Sequence, residues 1–223
     1  MKNGELFSFE NTIARNLCEV VEYPFEIPEL LCEVILRIGR RLDKNKFEQV
    51  GHSIWIAKSA RVSEGATVIG PTIIDELAEV RPGAYIRGGV IVGKGAVVGN
   101  SSEVKSSLLF DGVQIPHFNY VGDSVLGWRA HLGAGAIISN LKSDKSDVKM
   151  CFGAQKVDTY RRKCGAAVGD LAEIGCNSVL CPGAVIGKGA TVYPLSRVRG
   201  YVPDGSILKG DGSIVKKECR CDG

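Results

Sequence analysis

The sequence predicts an all-β protein, a parallel β-solenoid preceded by an α-helical segment. Branched aliphatic residues open successive blocks of six, and a small residue usually stands fifth in each block. Glycine contributes 28 of the 223 residues, nearly double its usual share of roughly 7%. Aromatic residues make up only 7% of the chain. These observations indicate many tight turns and small side chains packed in layers.

The blocks of six begin at Ile56, where the chain reads "IAKSAR VSEGAT VIGPTI IDELAE VRPGAY". The pattern stops near Asn140 and resumes as "VGDLAE IGCNSV LCPGAV IGKGAT VYPLSR". A period of six is not helical, because a helical apolar stripe recurs at three and four, and it is too long for simple strand alternation. It fits a three-faced solenoid of about eighteen residues per coil. Slips such as the five-residue block "VGDSV" before Leu126 interrupt the period.

Residues 1–50 break the repeat and are predicted to form a helical cap. The segment "EIPELLCEVILRIGRRLDKN" contains a helix whose apolar residues recur at helical spacing: Leu30, Leu31, Val34, Ile35 and Ile38. Pro28 suits its first turn, and Gly39 or Asn45 marks its end. We expect this helix to cap the open end of the solenoid or to pack along its side. The stretch "FENTIARNLCEVV" is a candidate for a second, shorter helix.

The solenoid is assigned to residues 51–205, with an insertion at residues 141–167 and a C-terminal tail at residues 206–223. The insertion interrupts the repeat without ending it. A long excursion from a rigid scaffold is usually functional, and a merely decorative loop is the alternative. The N-terminal region, the solenoid and the tail are the three parts that the sequence predicts.

Composition excludes several classes of protein. Lys and Arg total 28 against 25 Asp and Glu, a net charge of +3, which gives no argument for nucleic acid. No apolar run approaches the ~20 residues of a membrane span, and the N-terminus lacks the apolar core of a signal peptide. A protein of the cytoplasm, without nucleic-acid or membrane partners, is expected.

The eight cysteines form no C-x-x-C pair and no disulfide framework. In a chain without an export signal they are expected to stay reduced. Cys219 and Cys221 lie close together in the tail, where they form either a metal-binding pair or part of a flexible end.

Five motifs carry a resemblance to a known family. "VRPGA", "VGNSSEVKSS", "IPHFNYVGDSVLG", "HLGAGAIISNLK" and "IGCNSVLCPGAVIGKGA" follow one another in that order. The chain resembles hexapeptide-repeat acyltransferases, in particular the C-terminal acetyltransferase domain of bifunctional N-acetylglucosamine-1-phosphate uridyltransferase/glucosamine-1-phosphate acetyltransferases. The stretch "VDTYRRKCGAAVGD" resembles the archaeal-type sugar-1-phosphate nucleotidylyltransferase variant. The resemblance covers about residues 54–202.

The resemblance implies a left-handed β-helix, a homotrimer with its sites in the clefts between neighbouring solenoids, and acetyl-CoA as acyl donor with no metal. The chain contains no glycine-rich nucleotide loop followed by Arg and Lys. We therefore expect no nucleotidyltransferase activity from this chain, and a separate nucleotidyltransferase is a candidate partner.

Acetyl transfer to an amine needs a base and donors for the oxyanion. Imidazole titrates near pH 6.5, so a neutral histidine is available as a base at physiological pH. The resemblance implies that His117 is this base and that the Ala134 N–H stabilises the oxyanion and contacts the coenzyme. The flanking residues Gly133 and Gly135 let the backbone come close.

Cations and hydrogen-bond donors are needed to hold a sugar phosphate. The resemblance implies that Arg81, Lys105 and Tyr120 bind the phosphate and the sugar, since Arg can grip a phosphate through two hydrogen bonds. Asn140 matches a further ligand contact. Glu103 and Asp123 are expected to orient these donors.

Several positions depart from the family pattern. His131 stands where the family has an asparagine that contacts the amino sugar, and Leu141 replaces a tyrosine. Cys176 and Tyr193, expected beside the coenzyme, stand at serine-like and small-residue positions. The candidates for the coenzyme's phosphates are Arg161, Arg162, Lys163, Lys209, Lys216 and Lys217. The departures leave the identity of the acceptor sugar and of the acyl chain open.

The sequence therefore predicts a CoA-dependent N-acetyltransferase acting on an amino sugar-1-phosphate such as glucosamine-1-phosphate. One alternative is a non-catalytic trimeric subunit that binds sugar nucleotides or a partner enzyme. A second alternative is a zinc enzyme of the hexapeptide carbonic anhydrase kind, which needs three histidines around the metal. The chain has only His52, His117 and His131, and His52 precedes the repeat.

Overall fold

The computed structural model describes residues 2–153 and 155–218. Helices occupy the N-terminal part, where two single 3-10 turns, Phe9–Asn11 and Pro24–Glu26, accompany them. The α-helices are α1 (Asn3–Leu6), α2 (Arg15–Val20) and α3 (Ile27–Gly39). None of the helices in the described ranges is long and apolar enough to cross a membrane. Cys219 and Cys221 lie outside the described residues.

Short strands make up most of the remaining chain. They are β1 (Phe47–Gln49), β2 (Ile54–Ala57), β3 (Arg61–Val62), β4 (Thr67–Val68), β5 (Thr72–Ile74), β6 (Glu79–Val80), β7 (Tyr85–Ile86), β8 (Val90–Val92), β9 (Val97–Asn100), β10 (Glu103–Lys105), β11 (Ser107–Leu109), β12 (Gln114–His117), β13 (Tyr120–Gly122), β14 (Val125–Leu126), β15 (His131–Leu132), β16 (Ile137–Ile138), β17 (Lys149–Phe152), β18 (Gln155–Asp158), β19 (Ala167–Val168), β20 (Glu173–Ile174), β21 (Val179–Leu180), β22 (Val185–Ile186), β23 (Thr191–Val192), β24 (Arg197–Val198), β25 (Tyr201–Val202), β26 (Ser206–Leu208) and β27 (Ile214–Lys216).

These strands form three sheets of a parallel solenoid, one sheet on each face. Sheet A has the order β1-β2-β5-β8-β11-β14-β19-β22-β25, sheet B has β27-β26-β23-β20-β15-β12-β9-β6-β3, and sheet C has β24-β21-β16-β13-β10-β7-β4. The chain passes from sheet A to B to C and back to A in each coil, which creates three corners that we call A–B, B–C and C–A. The all-β solenoid that the sequence predicted is confirmed.

Strand pairing reproduces the predicted coil length. Thr72 pairs with Ile54 in one neighbouring coil and with Val90 in the other, 18 residues away in each direction. Val90 pairs with Ser107, 17 residues further on, so a slip shortens that coil. The strand spacing of about 4.8 Å brings backbone donors and acceptors of neighbouring coils together. Inward-facing aliphatic residues such as Ile91 are fully buried.

Helix α3 packs along the side of the solenoid, on β5, β8 and β11 of sheet A. The sequence left open whether this helix caps the end or lies along a side, and the structure decides for the side. Leu31 and Ile35 are fully buried beneath it, and each such side chain stabilises the packing by about 2 kcal/mol. The helix ends at Gly39, where an added Cβ would lie 2.4 Å from the Trp55 ring.

Aspartates hold the A–B corners together. Asp111 accepts a hydrogen bond from the Lys94 N–H at 2.9 Å, and Asp204 accepts one from the Lys188 N–H at 3.0 Å. Asp170 accepts from the Trp128 N–H and, at 2.8 Å, from the Ser8 N–H. The last contact ties the N-terminal segment to this corner.

The chain covers one of its own three faces. Outward-facing side chains of sheet A, which would otherwise meet solvent, are 1% exposed or less at Thr72, Val90, Ser107, Val125 and Val185. Helix α3 and strand β17 of the insertion, which pairs with β18 as an antiparallel hairpin, lie against this sheet. Sheets B and C therefore remain as the faces through which a ligand or a second subunit can approach.

Antiparallel strands end the solenoid at both sides. β1 pairs with β2 at the edge of sheet A, and β27 pairs with β26 at the edge of sheet B. The region that the sequence set apart as a tail from residue 206 thus continues sheet B through Ser206–Leu208. Each added strand covers a row of backbone groups that a parallel coil would leave unpaired.

Candidate active site

His117 ends strand β12, where the chain turns from sheet B into sheet C. Its side chain is exposed and forms no hydrogen bond with any other described residue. The next residue, Phe118, has a left-handed φ of 52° and is 61% exposed. The left-handed conformation makes the corner tight. It directs the chain into β13 while the imidazole of His117 stays outside the coil.

Asn119 fixes the position of this corner. Its Oδ1 accepts a hydrogen bond from the His117 N–H at 3.1 Å. Its Nδ2 donates to the carbonyl oxygens of Gly133 at 2.9 Å and Ala136 at 3.1 Å in the neighbouring coil. The Asn119 side chain is 2% exposed, so these bonds form away from competing water. One buried amide therefore connects the backbone of His117 to the turn that contains Ala134.

The turn at Ala134 offers an unpaired backbone donor. Gly133 donates its N–H to Ile174, Gly135 donates to His117, and Ala136 donates back to Gly133. Among the described residues, the Ala134 N–H has no acceptor. An unpaired and partly exposed N–H beside a base is the arrangement that stabilises an oxyanion.

Cys176 lies in the next coil at the same corner. A Cβ added to Gly133 would be 3.0 Å from the Cys176 sulfur and 2.7 Å from its backbone nitrogen. Cys176 is exposed, and within the described chain its N–H also has no acceptor. Tyr193, a coil further on, is 43% exposed. Two unpaired backbone donors and two exposed side chains therefore lie along one ridge at this corner.

A polar cluster lies on the outer surface of sheet C. Asp123 accepts hydrogen bonds from Asn140 Nδ2 and from Lys105 Nζ, the latter at 3.4 Å. Lys105 and Asp123 are partly buried, with side chains 17% and 14% exposed. The Tyr120 hydroxyl and the Asn140 amide both lie against Gly122. The structure therefore brings together four of the residues that the sequence singled out.

Gly122 allows this cluster to form. A Cβ at Gly122 would lie 2.8 Å from the Tyr120 hydroxyl and 2.8 Å from Asn140 Nδ2. The Tyr120 side chain therefore reaches across the strand, over Gly122, towards Asn140. Burial, helped by the Asp123 and Glu103 carboxylates, raises the pKa of Tyr120. The phenol stays protonated at neutral pH and remains a hydrogen-bond donor.

Two other predicted residues have ion-pair partners of their own. Glu103 accepts a hydrogen bond from Arg87 at 2.7 Å, and Arg87 also lies over the Tyr85 ring. Arg81 is bonded to Glu79 at 3.0 Å. Arg81 follows β6 of sheet B, whereas Lys105 lies on sheet C, so the two cations do not share a partner within one chain.

His131 lies on sheet B, apart from His117. Its Nδ1 is 2.7 Å from Glu173 Oε2, and the two residues are direct cross-strand neighbours. Its pairing partner on the other side is Gln114, three residues before His117. Within one chain the structure therefore does not bring the two imidazoles together. Leu141 is 40% exposed and forms a β-bridge with Lys163.

The sequence analysis missed Asn119, Gly122 and Arg87. Asn119 had only a general local signal, because Asn side chains in turns often bond to nearby backbone groups. Gly122 and Arg87 had none, since their roles depend on side chains from other coils. No group of three or more His, Cys, Asp or Glu residues suited to a metal occurs in residues 2–153 and 155–218.

Comparisons with known proteins show what this chain is similar to. Residues 68–164 match the GMPPB C-terminal domain family. The bifunctional sugar-1-phosphate nucleotidylyltransferase/acetyltransferase of Sulfurisphaera tokodaii is 33% identical over 186 residues, which are 75% of this chain and 46% of that protein. The chain is a homologue of these bifunctional proteins. The resemblance predicted from the sequence is thereby confirmed.

A second relative is the bifunctional protein GlmU of Methanococcus vannielii, 32% identical over 71% of this chain and 43% of its own length. The chain thus spans less than half the length of these relatives. Among solved structures, the acetyltransferase domain of PglB from Neisseria gonorrhoeae in complex with acetyl coenzyme A matches with a TM-score of 0.34. It is 17% identical and covers 71% of this chain and 55% of that one.

Proposed function

We propose that this chain transfers an acetyl group from acetyl-CoA to the amine of an amino sugar-1-phosphate. One observation supports the proposal: Asn119 joins the backbone of His117, whose imidazole is exposed, to the turn with the unpaired Ala134 N–H. A base and an oxyanion donor are the two groups that acyl transfer needs. The Sulfurisphaera tokodaii relative is named as an acetyltransferase, which supports the proposal.

The acetyl-CoA thioester supplies the activated acetyl group. As the amine nitrogen of the acceptor forms its bond to the acetyl carbon, His117 accepts the proton that the nitrogen loses. The Ala134 N–H stabilises the negative charge that develops on the carbonyl oxygen. The C–S bond then breaks, and the leaving thiolate takes up the proton that His117 received, so that the coenzyme leaves as its thiol and the imidazole is neutral again. No covalent intermediate with the protein is required.

The acceptor is held by the polar cluster on sheet C. Tyr120 follows His117 by three residues and leads from the corner to Asn140 and Lys105. The ammonium of Lys105 and the protonated phenol of Tyr120 provide a charge and a donor for the 1-phosphate. The sugar amine would then lie on the side of the cluster that is nearer His117.

The functional unit in this proposal is a homotrimer. Sheet A is covered by residues of its own chain. Sheets B and C meet at the corner that carries His117, and they are the faces available to a neighbouring subunit. A neighbour on these faces would turn the exposed corner into a cleft, which excludes water from the reaction.

The test measures free thiol released from acetyl-CoA in the presence of glucosamine-1-phosphate and galactosamine-1-phosphate. Replacing His117 by Asn should lower kcat by about a hundredfold or more, the usual contribution of a general base. His52→Asn is the matched control, because His52 is also exposed but lies between β1 and β2, at the first coil of the solenoid, and it should leave kcat unchanged. Thiol release at background level with every acceptor, or equal rates in wild type and His117→Asn, would overturn the proposal.

A further inference from the structure

A cleft of about 430 Å³ adjoins the polar cluster at the C–A corner. One wall is a single face of α3 and the turn before it, and the other is the last part of the insertion together with the corner itself. Its lining includes Cys32, Ser106, Asp123, Arg162 and Lys163. Asp123 is common to the cleft and the polar cluster, so the two are continuous.

The insertion segment that lines the cleft is held in place. Arg161 donates to the Phe25 carbonyl at 2.5 Å, forms an ion pair with Glu29 and lies 5.3 Å from the centre of the Phe25 ring. The Thr159 hydroxyl accepts the Arg161 N–H and donates to the Val148 carbonyl. Arg161 therefore links the insertion to the region of α3, and its guanidinium is already paired.

The segment continues into the active-site region through backbone contacts. The Cys164 N–H donates to the Asn140 carbonyl at 2.9 Å, and the Gly165 N–H donates to the Asp123 carbonyl at 2.9 Å. Lys163 is bridged to Leu141. The backbone at Arg162 and Lys163 is thus fixed beside the cluster, so a ligand does not have to order this segment when it binds.

The charges in the cleft do not cancel. The Glu29 carboxylate is paired with Arg161, and the Asp123 carboxylate is shared by Lys105 and Asn140. Arg162 and Lys163 form no ion pair within the described chain. Two cations without partners in a concave site, next to the Ser106 hydroxyl, have the chemistry of a phosphate site.

We propose that this cleft binds a second phosphate of the acceptor, so that the acceptor is an amino sugar linked to a nucleoside diphosphate. This inference rests on the proposed function and specifies its substrate class. The first phosphate lies at Lys105 and Tyr120, and the next one along the ligand reaches Arg162 and Lys163. The nucleoside continues away from sheet C.

The position of the cleft favours the acceptor over the coenzyme as the source of this phosphate. Cys176, with its unpaired N–H, lies at the B–C corner. The cleft lies at the opposite edge of sheet C, beyond a strand three residues long, Tyr120–Gly122, which spans about 10 Å. A coenzyme arm that runs along the B–C corner therefore leaves the cleft to the phosphate end of the acceptor.

The experiment compares two acceptors with the same amino sugar, glucosamine-1-phosphate and UDP-glucosamine, in the wild type and in Arg162→Ala/Lys163→Ala. The control variant is Lys145→Ala/Lys156→Ala, which removes two exposed lysines from the same insertion. Each lost charged hydrogen bond should cost on the order of tenfold in binding. We expect the KM for UDP-glucosamine to rise by about tenfold or more in the cleft variant, and the KM for glucosamine-1-phosphate to stay within about twofold. The control variant should change neither.

Three outcomes would overturn the inference. The first is an equal change in KM for both acceptors, or no change for either. The second is a higher KM for acetyl-CoA in the cleft variant than in the wild type, with no such difference when dephospho-acetyl-CoA is the donor. That result would assign the cleft to the coenzyme. The third is an unaltered affinity for inorganic pyrophosphate in the cleft variant, measured by calorimetry with orthophosphate as the reference. If neither acceptor is acetylated by the wild type, the proposed function fails, and the pyrophosphate titration alone decides whether the cleft is a diphosphate site.

Discussion

Asn119 accepts a hydrogen bond from the backbone N–H of His117 at 3.1 Å and joins that residue to its neighbouring coil. The same side chain donates to two carbonyl oxygens on either side of Ala134. A corner residue with an exposed imidazole would otherwise depend on its own short turn for its position. Because the bonds are buried, the backbone of His117 is fixed relative to the Ala134 turn before any ligand binds.

Asn119→Ala should therefore lower both stability and kcat. It leaves the Ala136 carbonyl without its Asn119 donor and the Gly133 carbonyl with only the Ala136 N–H, and each buried polar group that loses its partner costs about 1–3 kcal/mol. Urea unfolding should show a loss of about 3 kcal/mol, and kcat should fall about tenfold with little change in KM. Asn100→Ala is the matched control, because Asn100 donates to Pro82 at the same corner of a neighbouring coil but is exposed. An Asn119 variant as stable and as active as the Asn100 variant would contradict this role.

Gly122→Ala should weaken acceptor binding. The new methyl group would lie 2.8 Å from both the Tyr120 hydroxyl and the Asn140 amide, so one of them must move. We expect the KM for the sugar phosphate to rise about tenfold, the loss of one charged hydrogen bond, with the KM for acetyl-CoA unchanged. Gly210→Ala, where an added Cβ meets nothing within 4 Å, serves as the control. If the two variants have equal KM values for the sugar phosphate, Gly122 has no role in acceptor binding.

Cysteine alkylation should locate the coenzyme. Burial raises the pKa of Cys18 and of Cys164 to about 12, so both thiols should resist iodoacetamide at pH 8 in the folded protein. Cys32 and Cys176 are exposed and should react. CoA should slow the labelling of Cys176 at the B–C corner and leave that of Cys32 unchanged, as followed by peptide mass spectrometry. Protection of Cys32 alone would place the coenzyme on the other side of sheet C.

The carboxyl group of Asp75 should make the free energy of unfolding fall as the pH rises above about 4. Its carboxyl is 8% exposed, and burial, with smaller contributions from Asp111 and Glu76, raises its pKa in the folded protein. A raised pKa means that the folded state favours the protonated form, whose contribution is present below the unfolded value of about 3.9 and is lost as pH rises through the folded value.

Asp75→Asn removes this titration and keeps an oxygen that can accept the Glu76 N–H, a bond of 2.7 Å in the native chain. Its melting temperature should exceed that of the wild type at pH 7, and the difference should shrink towards pH 4. Asp144→Asn is the control, and its pH dependence should have the opposite sign. Hydrogen bonds from Ser146 lower the pKa of that exposed carboxyl, so the charged form contributes to stability above the unfolded pKa. A difference between Asp75→Asn and wild type that stays constant with pH would show that the Asp75 carboxyl does not titrate differently on folding.

Some of the site was predictable because the repeat is local. A branched aliphatic residue at every sixth position sets which side chains enter the coil and leaves corner residues such as His117 outside it. Asn140, Lys105, Tyr120 and Asp123 were selected by resemblance, and the structure brings them into one cluster. The sequence could not place His131 opposite Glu173, because 42 residues, including the whole insertion, separate them.

The sequence by itself determined the period of the coil, the helix that begins at Ile27, and the corner segment that contains His117. These follow from residues close together in the chain, whose backbone conformation and burial pattern repeat. Only the tertiary structure decided that α3 lies along sheet A, that Asn119 bonds to the next coil, and that Arg161 meets Glu29 from 132 residues away. Contacts of this kind depend on how coils stack and where the insertion returns, and no local period encodes that geometry.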